Sequence, residues 1–310
     1  MNEFELIARL TRSLPSNKMV VVGAGDDCAL LDLGLSDRLI LFKTDAVVEG
    51  IHFDADTPRE KIGRKALARC LSDIAAMAGT PVAALVTIGL PRNFTLDFVE
   101  SVYEGINALA RECEVAIVGG ETTASPERTL ISVALLGLAP RGKAVLRSGA
   151  EVGDAIFVTG ELGGSRAGKH LDFEPRLAEA RWLAKHFAVH AMIDLSDGLA
   201  GDLRHILKAS RVGAELLSGA IPISREAKQA AKAGASAKPP LVAALTDGED
   251  FELLFTVASK DAVPLLDAWK KEFPELPLGC IGKITAGEGI TIRDQHGARP
   301  LTVHGYDHFA

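Results

Sequence analysis

Eight carboxylates of this 310-residue chain occupy settings that are unusual for acids. Each follows a strand-like run, lies in a glycine-containing turn or falls on the apolar face of a predicted helix. In semi-buried surroundings such acids would repel one another unless cations lay between them. Oxygen ligands of this kind suit Mg²⁺, and Mg²⁺ held by several carboxylates typically bridges nucleotide phosphates. The pattern therefore predicts phosphoryl transfer or other ATP-driven chemistry. The eight are Asp26, Asp27, Asp45, Asp73, Glu121, Asp194, Asp197 and Glu249.

The stretch LILFKTDAVVEGIHF (residues 39–53) forms one wall of the predicted site. It reads as an apolar strand that ends in a carboxylate and opens into a glycine-containing loop. Alternate side chains of a strand share a face, so Lys43 and Asp45 stand together. A charged pair at a strand end, followed by Glu49 and His52, is where α/β proteins place chemistry. The alternative is a solvated strand end with a local ion pair.

Asp73 lies in a helix predicted from about Pro58 to Ala78. Its neighbours on the helix face are mostly small or apolar, and a carboxylate in such surroundings needs a partner. That partner is either a metal ion or Arg69, one turn earlier at i−4.

Two acidic runs mark the second half of the chain. AMIDLSDGLAGDL (191–203) places Asp194 and Asp197 just before a helix, and helix capping accounts for one of these acids but not both. LTDGEDFELLFTV (245–257) places Glu249 ahead of a buried strand, for which a polar loop is the alternative.

The run GGSRAGKH (163–170) imitates a phosphate-binding P-loop up to its last position. A P-loop requires Ser or Thr after the lysine to ligate magnesium, and this chain has His170 there. We therefore predict a glycine-rich turn that caps a helix, and no P-loop.

Helical and strand-like segments are mixed throughout, which predicts an α/β (α+β) fold. At 310 residues two domains are expected. The basic, glycine-containing segment 140–150 separates a domain over 1–140 from a second over 150–310. The strands at 39–42 and 82–88 carry apolar residues on both alternating sets, more than one helix layer covers, so we predict a homodimer that buries the surplus.

The net charge of −7, from 34 basic and 41 acidic residues, argues against broad binding of nucleic acid. It still permits an anionic substrate held through divalent cations. The first residues lack the pattern of a signal peptide and no run is long enough to cross a bilayer, so we expect a cytoplasmic protein without a membrane partner. The four cysteines form no CxxC pair, which gives no sign of a disulfide scaffold or a thiolate zinc site.

Eight motifs, taken in order, resemble those of the bacterial thiamine-monophosphate kinases from about Phe4 to Phe309. The wider superfamily includes aminoimidazole ribonucleotide synthetase, selenophosphate synthetase and the hydrogenase maturation dehydratase. The resemblance implies an N-terminal domain that dimerises through its sheet and binds ATP without a P-loop, followed by a C-terminal α/β domain. The motifs are GAGDDCALL, KTDAVVEGIHF, KALARCLSDIAAMAG, VGGETT, LRSGA, IDLSDGLAGDLRHILKAS, DGEDFELLFT and GYDHF.

The resemblance also implies roles for individual residues, carried over motif by motif. The reaction implied is direct in-line transfer of the γ-phosphoryl group of ATP to thiamine monophosphate, with no covalent enzyme nucleophile, because positioning and charge neutralisation carry the catalysis. Several Mg²⁺ ions would be held by Asp27, Thr44, Asp45, Asp73, Glu121, Asp194 and Asp197. ATP, the co-substrate, would contact Gly120, Glu121, Arg147 and Ser196, and thiamine monophosphate would contact His52, Glu249 and Phe309.

Two positions depart from the family pattern. Lys43 stands where the family usually has Ser, and Glu121 where it usually has Asp. A charged lysine cannot ligate a metal, but its positive charge can replace part of a missing cation. We therefore predict that the active complex holds one magnesium ion fewer than in relatives with Ser at this position. The alternative is that Lys43 turns to solvent. Because of Glu121, the chain reads GGET at residues 119–122, a sequence also seen in the synthetase relative, so an ATP-dependent synthetase or dehydratase remains an alternative function. Because of Lys43, a nucleotide-binding homologue that has lost catalysis is a second alternative.

Overall fold

The computed structural model describes residues 3–306, except for the side chain of Phe4. The chain forms two compact units. The N-terminal unit comprises Lys18–Ala144 together with His170–Leu177. The C-terminal unit comprises Val145–Lys169, the chain from Ala178 onward, and the first residues up to Asn17 with helix α1 (Glu3–Thr11). Both units combine helices with a sheet, which confirms the predicted α/β class.

The sheet of the N-terminal unit has six strands in the order β1-β2-β3-β6-β4-β5. Strands β4 and β5 pair in parallel, whereas the other neighbours are antiparallel. The apolar runs in the sequence account for the three long strands β3, β4 and β6. The elements are β1 (Val20–Val22), β2 (Ala29–Leu31), β3 (Arg38–Val48), α2 (Arg59–Ala76), β4 (Thr80–Leu90), α3 (Leu96–Glu112), β5 (Ala116–Ala124) and β6 (Leu130–Pro140).

Helices α2 and α3 pack against each other through two glycines. A Cβ atom at Gly63 would lie 1.9 Å from the carbonyl oxygen of Val102, and one at Gly105 would lie 1.8 Å from that of Glu60. Only residues without a side chain allow the two backbones to come this close. The rest of α2 is largely buried, including Asp73, so the helix pair fixes where that carboxylate lies.

The opposite face of this sheet carries large apolar side chains that are exposed in the single chain. Phe42 is 47% exposed and lies opposite Leu136, which is 41% exposed. Leu85 and Val118, on β4 and β5, are 48% and 63% exposed. These four residues define what we call the open face of the N-terminal sheet.

Over the described residues, the sheet of the C-terminal unit has seven strands in the order β13-β12-β9-β11-β7-β10-β8. Only the β12–β9 pair within it is parallel among the described pairings. The strands are β7 (Ala155–Thr159), β8 (Val189–Asp194), β9 (Gly213–Leu217), β10 (Leu253–Val257), β11 (Leu278–Thr285), β12 (Ile290–Asp294) and β13 (Gly297–Pro300). The helices that follow β6 are α4 (Lys169–Asp172), α5 (Leu177–His186), α6 (Leu199–Ser210), α7 (Arg225–Lys232), α8 (Pro240–Thr246) and α9 (Ala262–Glu272).

Strands β7 and β10 are buried along their whole length, as their continuous apolar runs require. Because β10 is antiparallel to both β7 and β8, the carboxyl ends of β7 and β8 lie at one edge of the sheet. Thr159 ends β7 there, and Asp194 ends β8 opposite Leu253.

Among the described residues, no helix combines the length and the apolar character needed to span a membrane.

Candidate functional site

Four charged residues of the N-terminal unit form paired contacts between β3 and α2. The Lys43 ammonium donates a hydrogen bond to Asp73 Oδ1 at 2.9 Å. The Arg69 guanidinium donates to both carboxylate oxygens of Asp45, at 3.1 and 3.3 Å. We call Lys43, Asp45, Arg69 and Asp73 the strand–helix charge cluster. Arg69 and Asp73, the pair weighed from sequence, are thus each bound to a residue of the strand.

The charges of this cluster reinforce one another. Burial lowers the pKa of Lys43, but the negative charges of Asp73 and Asp45 outweigh it, so the pKa lies above its ordinary value. Burial raises the pKa of Asp45, but the charges of Arg69 and Lys43 outweigh it, so that pKa lies below its ordinary value. Lys43 is therefore charged at neutral pH and held inside the cluster. The alternative in which it turns to solvent is wrong.

Asp27 extends the cluster. It is 2% exposed, and one of its carboxylate oxygens lies within 4.8 Å of one of Asp73. The loop that carries it is tied to the end of α2 by a hydrogen bond from the Cys28 amide to Met77 Sδ at 3.2 Å. Two buried carboxylates this close need positive charge between them. Lys43 supplies one charge, and the oxygen-rich setting suits a divalent cation for the rest.

Thr44 and Glu121 lie on the open face of the sheet, whereas Asp45 points to α2. Thr44 Oγ1 is 3.3 Å from Ser132 Oγ, and Glu121 lies opposite Thr87 on the neighbouring strand. Side chains on opposite faces of a sheet diverge. The structure therefore separates Thr44 and Glu121 from the strand–helix charge cluster.

Gly120, a predicted ATP contact, also has a packing role. A Cβ atom at this position would lie 1.7 Å from the carbonyl oxygen of Val86 on β4. Glycine is thus required here for β5 to pair with β4, whatever ligand its backbone meets.

His52 lies in the loop after β3 and is held by main-chain contacts. Its Nδ1 accepts a hydrogen bond from the Val48 amide at 3.1 Å, so a neutral His52 carries its proton on Nε2. Its carbonyl oxygen accepts from Lys65 Nζ at 2.6 Å, and the same fully buried lysine lies 2.7 Å from His170 Nδ1. The ring orientation of this predicted substrate contact is therefore fixed by the protein.

In the C-terminal unit, three side chains around the start of α6 come together. Asp197, Asp202 and His205 each offer a ligand atom within 4.8 Å of the others. Asp202 Oδ2 also accepts a hydrogen bond from the Asp197 amide at 3.1 Å. Burial, with the charges of Asp197 and Asp194, raises the pKa of Asp202 well above its ordinary value.

The sequence reasoning missed Asp202 and His205. The available signal was their i, i+3 spacing on a helix that follows a predicted acidic turn. Burial, together with the charges of Arg147 and Lys208, lowers the pKa of His205 to about 4, so its imidazole is neutral at physiological pH. Arg147, a predicted ATP contact, is thus close enough to this group to shift its titration.

The glycine-rich run 163–170 is a turn whose backbone amides are already bound. The Gly163 amide donates to both oxygens of Asp250, at 2.9 and 3.1 Å, and the Gly164 amide donates to Asp247 at 3.1 Å. In a P-loop such amides cradle phosphate. Here the chain's own carboxylates take that place, and a short 3₁₀ helix (Ser165–Ala167) follows. This confirms that the run is not a P-loop.

Glu249 lies on the loop before β10. It is one of the non-glycine residues with a positive φ, at 55°. Its amide donates to the carbonyl oxygen of Ser196 at 2.7 Å, so the predicted substrate contact and the predicted ATP contact are joined through their backbones. Phe309 lies outside the described residues.

Comparison with known proteins places this arrangement in a family. Residues 25–139 match the family model of the AIR synthase related protein N-terminal domain, and residues 158–295 match the model of its C-terminal domain. The thiamine-monophosphate kinase of Rhodopirellula baltica is 42% identical over 288 residues, which cover 90% of this chain and 87% of that protein. The chain belongs to the thiamine-monophosphate kinase family.

Two further relatives match along nearly the whole chain. The thiamine-monophosphate kinase of Bacillus subtilis is 34% identical over 100% of both proteins. A solved structure described as AaThiL complexed with AMPPCP and TMP superposes with a TM-score of 0.82 at 31% identity and covers 99% of this chain and 97% of that one. The family resemblance seen in the sequence motifs is confirmed, and so is the class of enzyme.

Proposed function

We propose that this chain transfers the γ-phosphoryl group of ATP to thiamine monophosphate and releases thiamine diphosphate and ADP. The observation that carries the proposal is the full-length match to a relative whose structure contains AMPPCP and TMP. The carboxylates described above support it, because phosphoryl transfer depends on positioning and on neutralising charge.

Magnesium fits the carboxylate groups of both units. In the N-terminal unit Asp27, Asp45 and Asp73 would serve as ligands, and in the C-terminal unit Asp194 and Asp197. Thr44 and Glu121, on the open face, would serve a different ion from Asp73, since the sheet separates them. Bound magnesium would offset the charge that develops on the transferred phosphoryl group and hold the phosphates in line.

The chain's own residues would orient the two substrates. Lys43 places a fixed positive charge beside Asp73. For that reason we infer that this chain needs one magnesium ion fewer than relatives with Ser at this position. Gly120, Arg147 and Ser196 would hold ATP, together with Glu121. His52 would donate from Nε2 to thiamine monophosphate, with Glu249 and Phe309 as its further contacts. The acceptor oxygen is already anionic, so no covalent nucleophile is called for.

One assay separates this function from its two alternatives. Purified protein is incubated with ATP, Mg²⁺ and thiamine monophosphate, and products are resolved by chromatography. Thiamine diphosphate formed in equal amount to ADP is the expected result. Release of ADP and phosphate only when another acceptor is supplied would favour a synthetase or dehydratase. Tight ATP binding without any product would indicate a nucleotide-binding homologue that has lost catalysis.

We further infer that two copies of the chain associate through the open face. Its exposed apolar side chains (Phe42, Leu85, Val118 and Leu136) lie on adjacent strands, and contiguous apolar surface of this kind marks an interface. Light scattering at micromolar concentration should give twice the chain mass. Replacing Leu136 by Lys should yield a monomer, while the same change at Leu217, exposed in the C-terminal unit, should not. A monomeric wild type would contradict the inference.

A further inference from the structure

The loop over residues 247–252, which we call the acidic loop, is bound on one side to the segment that carries the predicted ATP and magnesium contacts. The Glu249 amide donates to the carbonyl oxygen of Ser196 at 2.7 Å, and the Phe251 amide donates to that of Leu195 at 2.8 Å. The Leu195 amide in turn donates to the carbonyl oxygen of Glu252 at 2.8 Å. Three backbone hydrogen bonds thus hold the acidic loop and the segment 195–197 as one piece.

On its other side the acidic loop is bound through side chains. The Asp250 carboxylate accepts from the Gly163 amide at 2.9 and 3.1 Å and from the Ser165 hydroxyl. It is 1% exposed. Glu252, equally buried, accepts from Thr159 Oγ1 at 2.7 Å and from Lys169 Nζ at 2.9 Å. The glycine turn at residues 163–165 and Thr159 at the end of β7 therefore both anchor the acidic loop.

The backbone between these anchors has an unfavourable conformation. Glu249 and Phe251 have φ values of 55° and 49°, a region that non-glycine residues avoid because Cβ approaches the following carbonyl oxygen. Such conformations persist only where the surroundings enforce them, and they cluster at functional sites. Asp250 lies between Glu249 and Phe251, and its hydrogen bonds help to hold both residues in this conformation.

Asp250 is a poor choice if stability alone is considered. Burial raises its pKa to about 6, although Lys169, Ser165 and the Gly163 amide act in the other direction and Glu252 adds to the rise. An ionised carboxylate in this setting at neutral pH costs folding free energy. Asp250 therefore lowers stability while it holds a strained loop that carries the predicted substrate contact Glu249. A role in positioning that loop explains why an acid stands here.

We propose that Asp250 is a positioning residue for phosphoryl transfer. Held by Gly163 and Ser165, it fixes the main chain of Glu249 and, through the Glu249–Ser196 hydrogen bond, the segment that carries Asp197. The proposal rests on the function proposed above, since Glu249, Ser196 and Asp197 are site residues under that function.

Three variants test the role. Asp250→Asn keeps the shape but removes the charge that binds the turn. Ser165→Ala removes one of its donors and leaves the acid intact. Asp247→Asn makes the same chemical change on the same loop, at a carboxylate that binds the adjacent Gly164 amide and Lys238.

The expected loss in kcat/KM for thiamine monophosphate is on the order of 10- to 100-fold in Asp250→Asn, since small displacements of positioned groups have effects of this size. Ser165→Ala should lose less in the same direction, and Asp247→Asn should change by less than about twofold, as for most exposed ion pairs. Urea unfolding of each variant corrects for the folded fraction. Unchanged kcat and KM per folded molecule in Asp250→Asn, or equal losses in Asp247→Asn, would overturn the proposal.

Amide hydrogen exchange gives a readout that does not depend on turnover. If Asp250 positions the loop, the Glu249 and Phe251 amides should exchange at least tenfold faster in Asp250→Asn, and at the wild-type rate in Asp247→Asn. Unchanged protection of both amides would overturn the positioning role even in a protein without kinase activity. A wild type that forms no thiamine diphosphate but shows the expected exchange pattern would instead refute the proposed function alone.

Discussion

The strand–helix charge cluster and the acids around the start of α6 are balanced in different ways. In the strand–helix charge cluster, Lys43 binds Asp73 and Arg69 binds Asp45, so each of these carboxylates has a cation from the chain. At the start of α6, burial and the charges of Asp197 and Asp194 raise the pKa of Asp202. The first group is near charge balance by itself, whereas the second is repulsive and improves when an external cation binds.

The largest expected effect is at the repulsive group. Asp197→Asn removes a negative charge and a predicted magnesium ligand, so we expect kcat to fall on the order of 100-fold or more at saturating substrates. The free energy of unfolding should hold or rise, because one source of repulsion has gone. Steady-state kinetics and urea unfolding measure the two quantities.

The matched control is Asp154→Asn. Asp154 is a buried carboxylate of the same unit that is bound to His190 Nδ1 at 2.9 Å, at the edge of the sheet opposite Asp194. Its replacement should lower stability without changing kcat per folded molecule. If the control lost activity as Asp197→Asn did, the loss would reflect general damage to the sheet and not the chemistry of the α6 group.

A second expected effect concerns pH. The pKa of Asp250 rises from 3.8 to about 6 on folding, so between these values the folded protein holds a proton that the unfolded chain has lost. Stability therefore falls as pH increases through that window, by about 3 kcal/mol for a shift of about two units. Asp250→Asn, which does not titrate, removes this slope. Denaturation of both proteins at pH 4 to 7 measures it, and parallel stability curves for the two proteins would contradict the expected pH dependence.

The smallest expected effect concerns the strand–helix charge cluster, which is near charge balance. Lys43→Ser removes the internal cation beside Asp73, so one more Mg²⁺ should be needed there and the rate should depend more steeply on Mg²⁺ concentration, with little loss at saturating metal. Lys61→Ser is the control, because Lys61 lies on α2, the helix that carries Asp73, but binds Asp172 at the surface. Superimposable magnesium titrations of wild type and Lys43→Ser would remove this lysine from the mechanism.

Much of the fold follows from sequence periodicity. Helix α2 runs from Arg59 to Ala76, within about two residues of its predicted limits, and the strand predicted from residue 39 is β3, which continues past Asp45 to Val48. Strands β9, β12 and β13 were not predicted, because they are short and lie among glycine and polar residues that carry no clear period. Such strands form because neighbouring strands pair with them.

The candidate site likewise has features that local sequence pattern predicts and features that depend on tertiary packing. The sequence identifies acids at strand ends and turns, because those positions are marked by local pattern. It could not show that Arg69 would bind Asp45 across to the strand, since that depends on how α2 lies on β3. Asp202 and Asp250 were not singled out either, because on sequence alone an acid near a helix start or in a polar loop is explained by capping or solvation. Their burial is a tertiary property.

The glycine contact between α2 and α3 has a consequence for how this enzyme tolerates genetic change. Arg69 and Asp73 belong to α2, and Gly63 lies ten residues before Asp73, about 15 Å along the helix axis. A methyl group added at Gly63 or Gly105 would push the helices apart and carry both charged side chains with them. Gly63 and Gly105 have no functional group, yet substitutions there are expected to impair the site as substitutions of site residues do. Such a substitution is tolerated only when the facing helix carries a compensating change.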